Sequence, residues 1–181
     1  MHKRFPLFKA LLVCGAGILS FTGCAVGSSP KLGVDDACAS LKAITADYEN
    51  GFEKFKGSGS NYRSFKLYSA KVELVKGHCE IWEWAGGEMA YACSATTPHS
   101  EVATQRYSAT KDFVQACVGS SWKQKELERE QDGNRLGPAT IFTSPSVPGL
   151  IISVQNNVPP KAQRQLQSNV IYIGSKGKRP I

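Results

Sequence analysis

Cys79 and Cys93 lie symmetrically about Gly86 in the stretch CEIWEWAGGEMAYAC. If Ala85, Gly86 and Gly87 form a three-residue hairpin loop, Trp84 faces Glu88 and Cys79 faces Cys93 across two antiparallel strands. Directly opposite residues in such a pair have Cβ atoms about 4.5–5.5 Å apart, which is close to disulfide reach. Two further cysteines, Cys38 and Cys117, are then left for each other. Four cysteines allow three connectivities, and the hairpin selects this one. A zinc site is the rival use of four cysteines, but no CxxC unit occurs, so the spacing argues for disulfides. Disulfides in turn require an oxidising compartment and hence an exported chain.

The N-terminus agrees with export. His2, Lys3, Arg4 and Lys9 make a basic segment, and Ala10 to Phe21 is a short apolar run that contains Cys14. A transmembrane helix needs about 20 apolar residues, so this run reads as the hydrophobic part of a signal peptide. It ends in Phe21-Thr22-Gly23-Cys24. These four residues resemble the lipobox of bacterial lipoproteins, in which small residues precede an obligatory cysteine. The resemblance implies that residues 1–23 are removed, that the Cys24 thiol carries a diacylglycerol, and that acyl chains tie the protein to a membrane. Ala25, rather than Asp, follows the cysteine, which in enterobacterial lipoproteins resembles sorting to the outer membrane. Ordinary cleavage after the small residues 25–27 is the plain alternative. Residues 24–33, rich in Gly, Ser and Pro, form the expected tether.

Net charge bears on partners. The formal value for the 181 residues is +7, from 22 basic and 15 acidic residues. Lys3, Arg4 and Lys9 belong to the signal segment, and Lys176, Lys178 and Arg179 to a basic tail expected over 174–181. Without those six, 16 basic residues stand against 15 acidic, and the domain is nearly neutral. Such a body lacks the electrostatic footprint of a nucleic-acid binder.

Periodicity outlines one domain over residues 34–173. Val34, Ala37, Cys38, Leu41, Ile44, Tyr48, Phe52 and Phe55 recur at helical steps, with Asp35 or Asp36 as N-cap and residues 56–61 (KGSGSN) as terminator. Tyr68 to Leu74 alternates as a strand. The hairpin follows, then a polar loop over Thr96 to Ser108. A second helix is expected from about Thr110 to Gly119, with Phe113, Ala116 and Cys117 on one face. Trp122 to Gln131 reads as a strand because Asp132-Gly133 is a hairpin turn. Ala139 to Thr143, Leu150 to Gln155 and Leu166 to Ile173 supply further strands. A faint repeat of one helix and three strands is visible: residues 77–82 match 137–142 at an offset of 60, and 89–93 match 150–154 at 61. It would put Cys38 and Cys117 at equivalent helix positions.

Catalytic signatures are missing. No GxSxG, HExxH, P-loop or GxGxxG pattern occurs. His78 and His99 have no recognisable carboxylate or nucleophile partner in sequence. Glu80 and Glu83 fall on opposite strand faces and make a poor acid/base pair. Glu126, Glu128 and Glu130 alternate with Lys125 and Arg129, as in a solvated edge strand. The aromatic pair is the strongest lead. Trp82 and Trp84 share one strand face with Ala90, while Cys79, Ile81, Met89 and Tyr91 share the other. Only one of these faces can meet the helices. The plain reading makes the Trp face core. The sharper one makes Trp82 and Trp84 a partner surface, with Glu80 and Glu88 as its polar rim.

The expected fold is α+β: an antiparallel sheet with two helices packed on one face, with the faint repeat pointing to a duplicated αβββ unit. The expected function is that of a non-catalytic lipoprotein of the cell envelope, without cofactor or metal, that binds an envelope protein or a cell-wall partner. The alternative is a periplasmic inhibitor or immunity factor against a hydrolase or toxin.

Overall fold

Asp36 sets the start of the first helix in the computed structural model, which describes residues 34–159 and 166–177. Its carboxylate accepts a hydrogen bond from the Ala39 amide at 2.8 Å, so α1 runs Ala37–Ala46. The signal segment, Cys24 and the tether lie outside the described residues, as does the tail beyond residue 177.

α1 ends well before Phe55, although the apolar spacing continues. The reason is the carboxylate of Asp47, only 2% exposed, which accepts from the Lys54 amide at 3.0 Å and the Asn50 side chain at 3.2 Å. Gly51 and Phe52 take positive φ, and the chain reverses into a 3-10 turn, Glu53–Phe55. Phe52 is nevertheless fully buried. A turn therefore satisfies the same burial pattern that a helix would, and side-chain spacing does not distinguish them.

Eight strands follow: β1 (Lys56–Asn61), β2 (Phe65–Ala70), β3 (His78–Trp84), β4 (Met89–Thr97), β5 (Lys123–Gln131), β6 (Asn134–Thr143), β7 (Leu150–Asn157) and β8 (Gln167–Ser175), with α2 (Ser100–Val118) between β4 and β5. They form one antiparallel sheet in the order β1-β2-β3-β4-β8-β7-β6-β5. The protein is α+β but strand-dominated. The segment KGSGSN, expected to be a helix terminator, is the edge strand β1. An edge strand held by backbone pairing, with its side chains largely in solvent, shows no period-two signal. β8 continues through Gly174 and Ser175, so the domain reaches past residue 173.

α2 begins at Ser100, inside the stretch expected to be a loop. Its buried stripe is Ala103, Tyr107, Thr110, Val114 and Cys117, spaced by three and four as a helix requires. Ala and Thr at two of these places disguise it. The Tyr107 hydroxyl lies 2.7 Å from Thr140 Oγ1, and the Asn169 side chain donates to the Ala103 carbonyl at 2.9 Å. These bonds tie α2 to β6 and β8. The helix stops at Gly119, as expected, with φ of 74°.

The hairpin register is the one symmetry about Gly86 anticipates. The Gly87 amide donates to the Trp84 carbonyl, the Trp84 amide donates to the Glu88 carbonyl, and Cys79 stands opposite Cys93. The cysteines lie at disulfide distance in the pairs Cys79–Cys93 and Cys38–Cys117. Asp132 and Gly133 both take positive φ in the β5–β6 turn, the geometry that favours Asp-Gly there.

Both helices and one sheet face build the main core. Leu41 and Ile44 of α1 and Tyr107 and Val114 of α2 share a buried cluster with Ile81, Tyr91, Ile152, Val154, Ile171 and Ile173. A fully buried side chain of this size contributes about 1.5–3 kcal/mol. β7 is buried on both faces along most of its length, and its sequence is accordingly a near-continuous apolar run at its start.

Each helix precedes four strands, not three. The offsets of 60 and 61 pair β3 with β6 and β4 with β7, whereas sheet position pairs β3 with β7 and β4 with β8. Cys38 opens α1 and Cys117 closes α2, so they are not equivalent positions. The residue matches were short apolar strings, which any two strands of one sheet can share.

Candidate functional site

Register alone places a row of residues across the face of the sheet that the helices do not cover. Ser60, Leu67, Trp82, Ala90, Gly174, Ile151, Thr143 and Lys123 stand opposite one another in turn, from β1 to β5. A parallel row runs Ser69, Glu80, Ala92, Tyr172, Ser153, Ile141 and Lys125. Among the described residues no helix lies over these rows. Alternation separates the two faces as expected, and helix docking decides which of them is core: the Cys79, Ile81 and Tyr91 face meets the helices, while Trp82 and Trp84 point away from them. The plain reading of this pair as helix-packed core is thus corrected. The physical reason is that Ile81 and Tyr91, both fully buried, pack with Leu41, Ile44, Tyr107 and Val114 of the helices.

At the β2–β3 end the face carries a stack of four aromatic rings. Tyr62 and Phe65 are 4.8 Å apart between centroids, Phe65 and Trp82 5.0 Å, and Trp82 and Trp84 6.0 Å, with planes within 26° of parallel. Tyr62 is 53% exposed, and Phe65, Trp82 and Trp84 are half-buried. The alternation that places Trp82 and Trp84 together also brings Phe65 opposite Trp84. Reading the sequence missed Tyr62 and Phe65. The signal was present in β2, where Phe65 and Leu67 alternate with Lys66 and Tyr68, but a strand expected to start at Tyr68 does not include it.

At the centre of the face the floor is small and apolar. Ala90, Ile141, Ile151 and Tyr172 form a second buried cluster, with Trp84, Ala92, Leu127 and Val170 against it. A Cβ at Gly174 would come within 2.6 Å of Ala90 Cβ, so glycine permits the close approach of β8 to β4. The far end is basic. Lys123 and Lys125 project from β5 on this face, and Lys176 follows β8. Further along β5, Arg129 crosses the strands, donating to the Gln155 side chain at 2.8 Å and to the Leu136 carbonyl at 3.0 Å. Burial pushes its guanidinium pKa down, but the group stays charged and clamps β5 to β6 and β7.

The acidic residues separate. Glu80 is half-buried on the aromatic face and pairs with the exposed His78. Glu88 is half-buried just after the hairpin loop. Glu83 lies on the helix side, as alternation requires, and takes hydrogen bonds from Lys66 at 3.1 Å and the Tyr68 hydroxyl at 3.0 Å. The Lys66 bond is the main cause that holds the Glu83 carboxyl below its ordinary value. A polar cleft of about 430 Å³ beside it is lined by Tyr48, Glu49, Asn50, Glu53, Lys56 and Met89, among others. Lys56 lies within ion-pair distance of both Glu53 and Glu83. Glu126 pairs with Lys111 of α2 and Glu128 with Arg135. His99 is exposed ahead of α2. Among the described residues no group of three or more His, Cys, Asp or Glu is placed to hold a metal ion, and no helix is long and apolar enough to cross a membrane.

Compared with protein-family models, characterised proteins and solved structures, the chain gives no significant match, so its functional reading rests on its own residues.

Proposed function

We propose that this chain is a non-catalytic binding module of the cell envelope, anchored by acyl chains on Cys24 at the outer membrane and facing the periplasm. Its partner is an envelope protein or a cell-wall component, met by the helix-free face of the sheet. The observation that carries this reading is the stack Tyr62–Phe65–Trp82–Trp84. Aromatic side chains offer large contact area at low entropic cost, and here they stand outside the helix-packed core. We also propose that the chain is a duplicated unit; the palindromic strand order supports this, with four strands after each helix where the sequence suggests three.

Two experiments test this function. Trp82→Ala breaks two stacked pairs, each contributing about 0.5–1.5 kcal/mol, so a stability loss of about 1–3 kcal/mol is expected. That is less than the 3–5 kcal/mol or so for a fully buried ring. In the double variant Trp82→Ala, Trp84→Ala, capture of a discrete partner from envelope extract, or co-sedimentation with isolated cell walls, should fall at least tenfold while the fold persists by circular dichroism. Equal capture by variant and wild type would exclude this face as the site.

The anchor is tested separately. Each buried methylene contributes about 0.8 kcal/mol, so several acyl chains hold a protein stably at a membrane. Metabolic labelling with an alkyne analogue of palmitate should mark the wild type and leave Cys24→Ser unmarked. Equal labelling of both refutes the lipid site.

A further inference from the structure

The basic end of the helix-free face is a formed cleft. Lys123, Lys125 and Lys176 rim a space of about 330 Å³ over a floor of Leu127, Ile141 and Ile151. That volume sits at the small end of ligand pockets, which span about 300–1,000 Å³ and combine an apolar lining with a few placed polar groups. The floor is aliphatic: Ile151 is 1% exposed, Ile141 8%, and Leu127 half-buried. Thr143 lines it as an uncharged polar residue.

The three ammonium groups have no carboxylate within ion-pair distance among the described residues. Neighbouring acids are engaged elsewhere, Glu126 with Lys111 and Gln124 on the opposite face and Glu128 with Arg135. Register fixes the lysines over the floor. Lys123 stands opposite Thr143 and Lys125 opposite Ile141. The Lys176 amide donates to the Gly149 carbonyl at 2.8 Å, which brings that residue beside the start of β7. Lysine stems can lie along apolar surface while their heads reach water, so three converging lysines can enclose a chain and still present their charge.

This combination restricts the ligand. Ammonium groups donate only, so they call for carboxylate or phosphate oxygens. A polyhydroxylated sugar would find too few acceptors here. Among the described residues no aromatic ring lines the cleft to stack a nucleobase. An aliphatic floor under a cationic rim matches a single acyl chain ending in an anion. We propose that this cleft binds a free fatty carboxylate, its head held by Lys123, Lys125 and Lys176 and its first methylenes on Leu127, Ile141 and Ile151. The site is independent of the lipid anchor and of the aromatic stack at the other end of the face.

Dodecanoate below its micellar concentration is the probe, titrated into the full-length chain carrying Cys24→Ser. The readouts are calorimetry and the methyl NMR shifts of Ile141 and Ile151. Saturable binding that weakens with salt is expected, with both isoleucines shifting. Dodecanol, which keeps the chain and loses the charge, should bind about tenfold more weakly, as should Lys123→Ala, Lys125→Ala, since each loses charge-assisted hydrogen bonds at the head. Both lysines are exposed on an edge strand, so the variant should keep its melting temperature. Trp82→Ala should keep its affinity for dodecanoate, so failure of the partner reading and failure of this site are distinguishable. Equal binding of dodecanol, or an unaffected lysine variant, overturns the proposal. Displacement by equimolar inorganic phosphate would reduce the site to a simple anion site. Binding to vesicles containing phosphatidylglycerol, with none to monomeric dodecanoate, would make it a membrane-surface patch instead.

Discussion

Replacing Cys38 and Cys117 together by alanine is expected to lower stability by about 4.5 kcal/mol. The two positions are 79 residues apart, and the chain-entropy model assigns about that much to a loop of this length. The bond joins the start of α1 to the end of α2, so it links elements that precede opposite halves of the sheet. Cys79 and Cys93 are 14 residues apart on paired strands, and the same model gives about 3 kcal/mol for them. Urea midpoints of the two double-alanine variants measure the contrast. If the Cys38, Cys117 variant is no less stable than the Cys79, Cys93 variant, the entropic account is wrong for this protein. The comparison also has a functional side, because export to an oxidising compartment is part of the proposed role.

Tyr91→Phe should have the next largest effect, about 2–3 kcal/mol. The ring is fully buried, and its hydroxyl accepts from the Leu74 amide at 3.0 Å and donates to the Val72 carbonyl at 2.6 Å. These bonds fasten the β2–β3 connection, including the fully buried Leu74, to the core. Removing the hydroxyl leaves two backbone groups without that partner, at about 1–3 kcal/mol for a buried one. The phenol also makes a prediction in pH. Burial is the main cause that pushes its pKa well above the ordinary value of 10. The folded state therefore keeps the proton after the unfolded chain has lost it. This contribution is fully present below about pH 10 and is lost as pH rises beyond it. Urea midpoints between about pH 8 and pH 11 should fall faster for wild type than for Tyr91→Phe. Parallel curves would show that Tyr91 ionises as readily folded as unfolded.

The expected outcomes depend on features of unequal visibility in the sequence. The hairpin was legible because local geometry determines it: three loop residues place Trp84 against Glu88 and Cys79 against Cys93 whatever surrounds them. Asp132-Gly133 was legible for the same reason, since positive φ at both residues selects that pair. The boundary of α1 was not, because Asp47 ends it through bonds to Asn50 and Lys54 that any helix-compatible spacing conceals. Nor was α2 before Thr110, where Ala103 and Tyr107 are buried by β-strands distant in sequence. The aromatic stack was half visible. Trp82 and Trp84 share a face by alternation, whereas Phe65 joins them only through pairing of β2 with β3.

By itself the sequence determined the Cys79–Cys93 pairing, the hairpin register and the separation of residues onto two strand faces, because each follows from short-range backbone geometry, and it left Cys38 for Cys117 by elimination. Only the tertiary structure decided which face the helices cover. Alternation assigns Trp82 and Tyr91 to opposite sides but carries no sign, and both sides are apolar enough to be core. Docking of Leu41, Ile44, Tyr107 and Val114 onto Ile81 and Tyr91 breaks that symmetry, and it leaves the tryptophans and Lys123, Lys125 and Lys176 together on the free side.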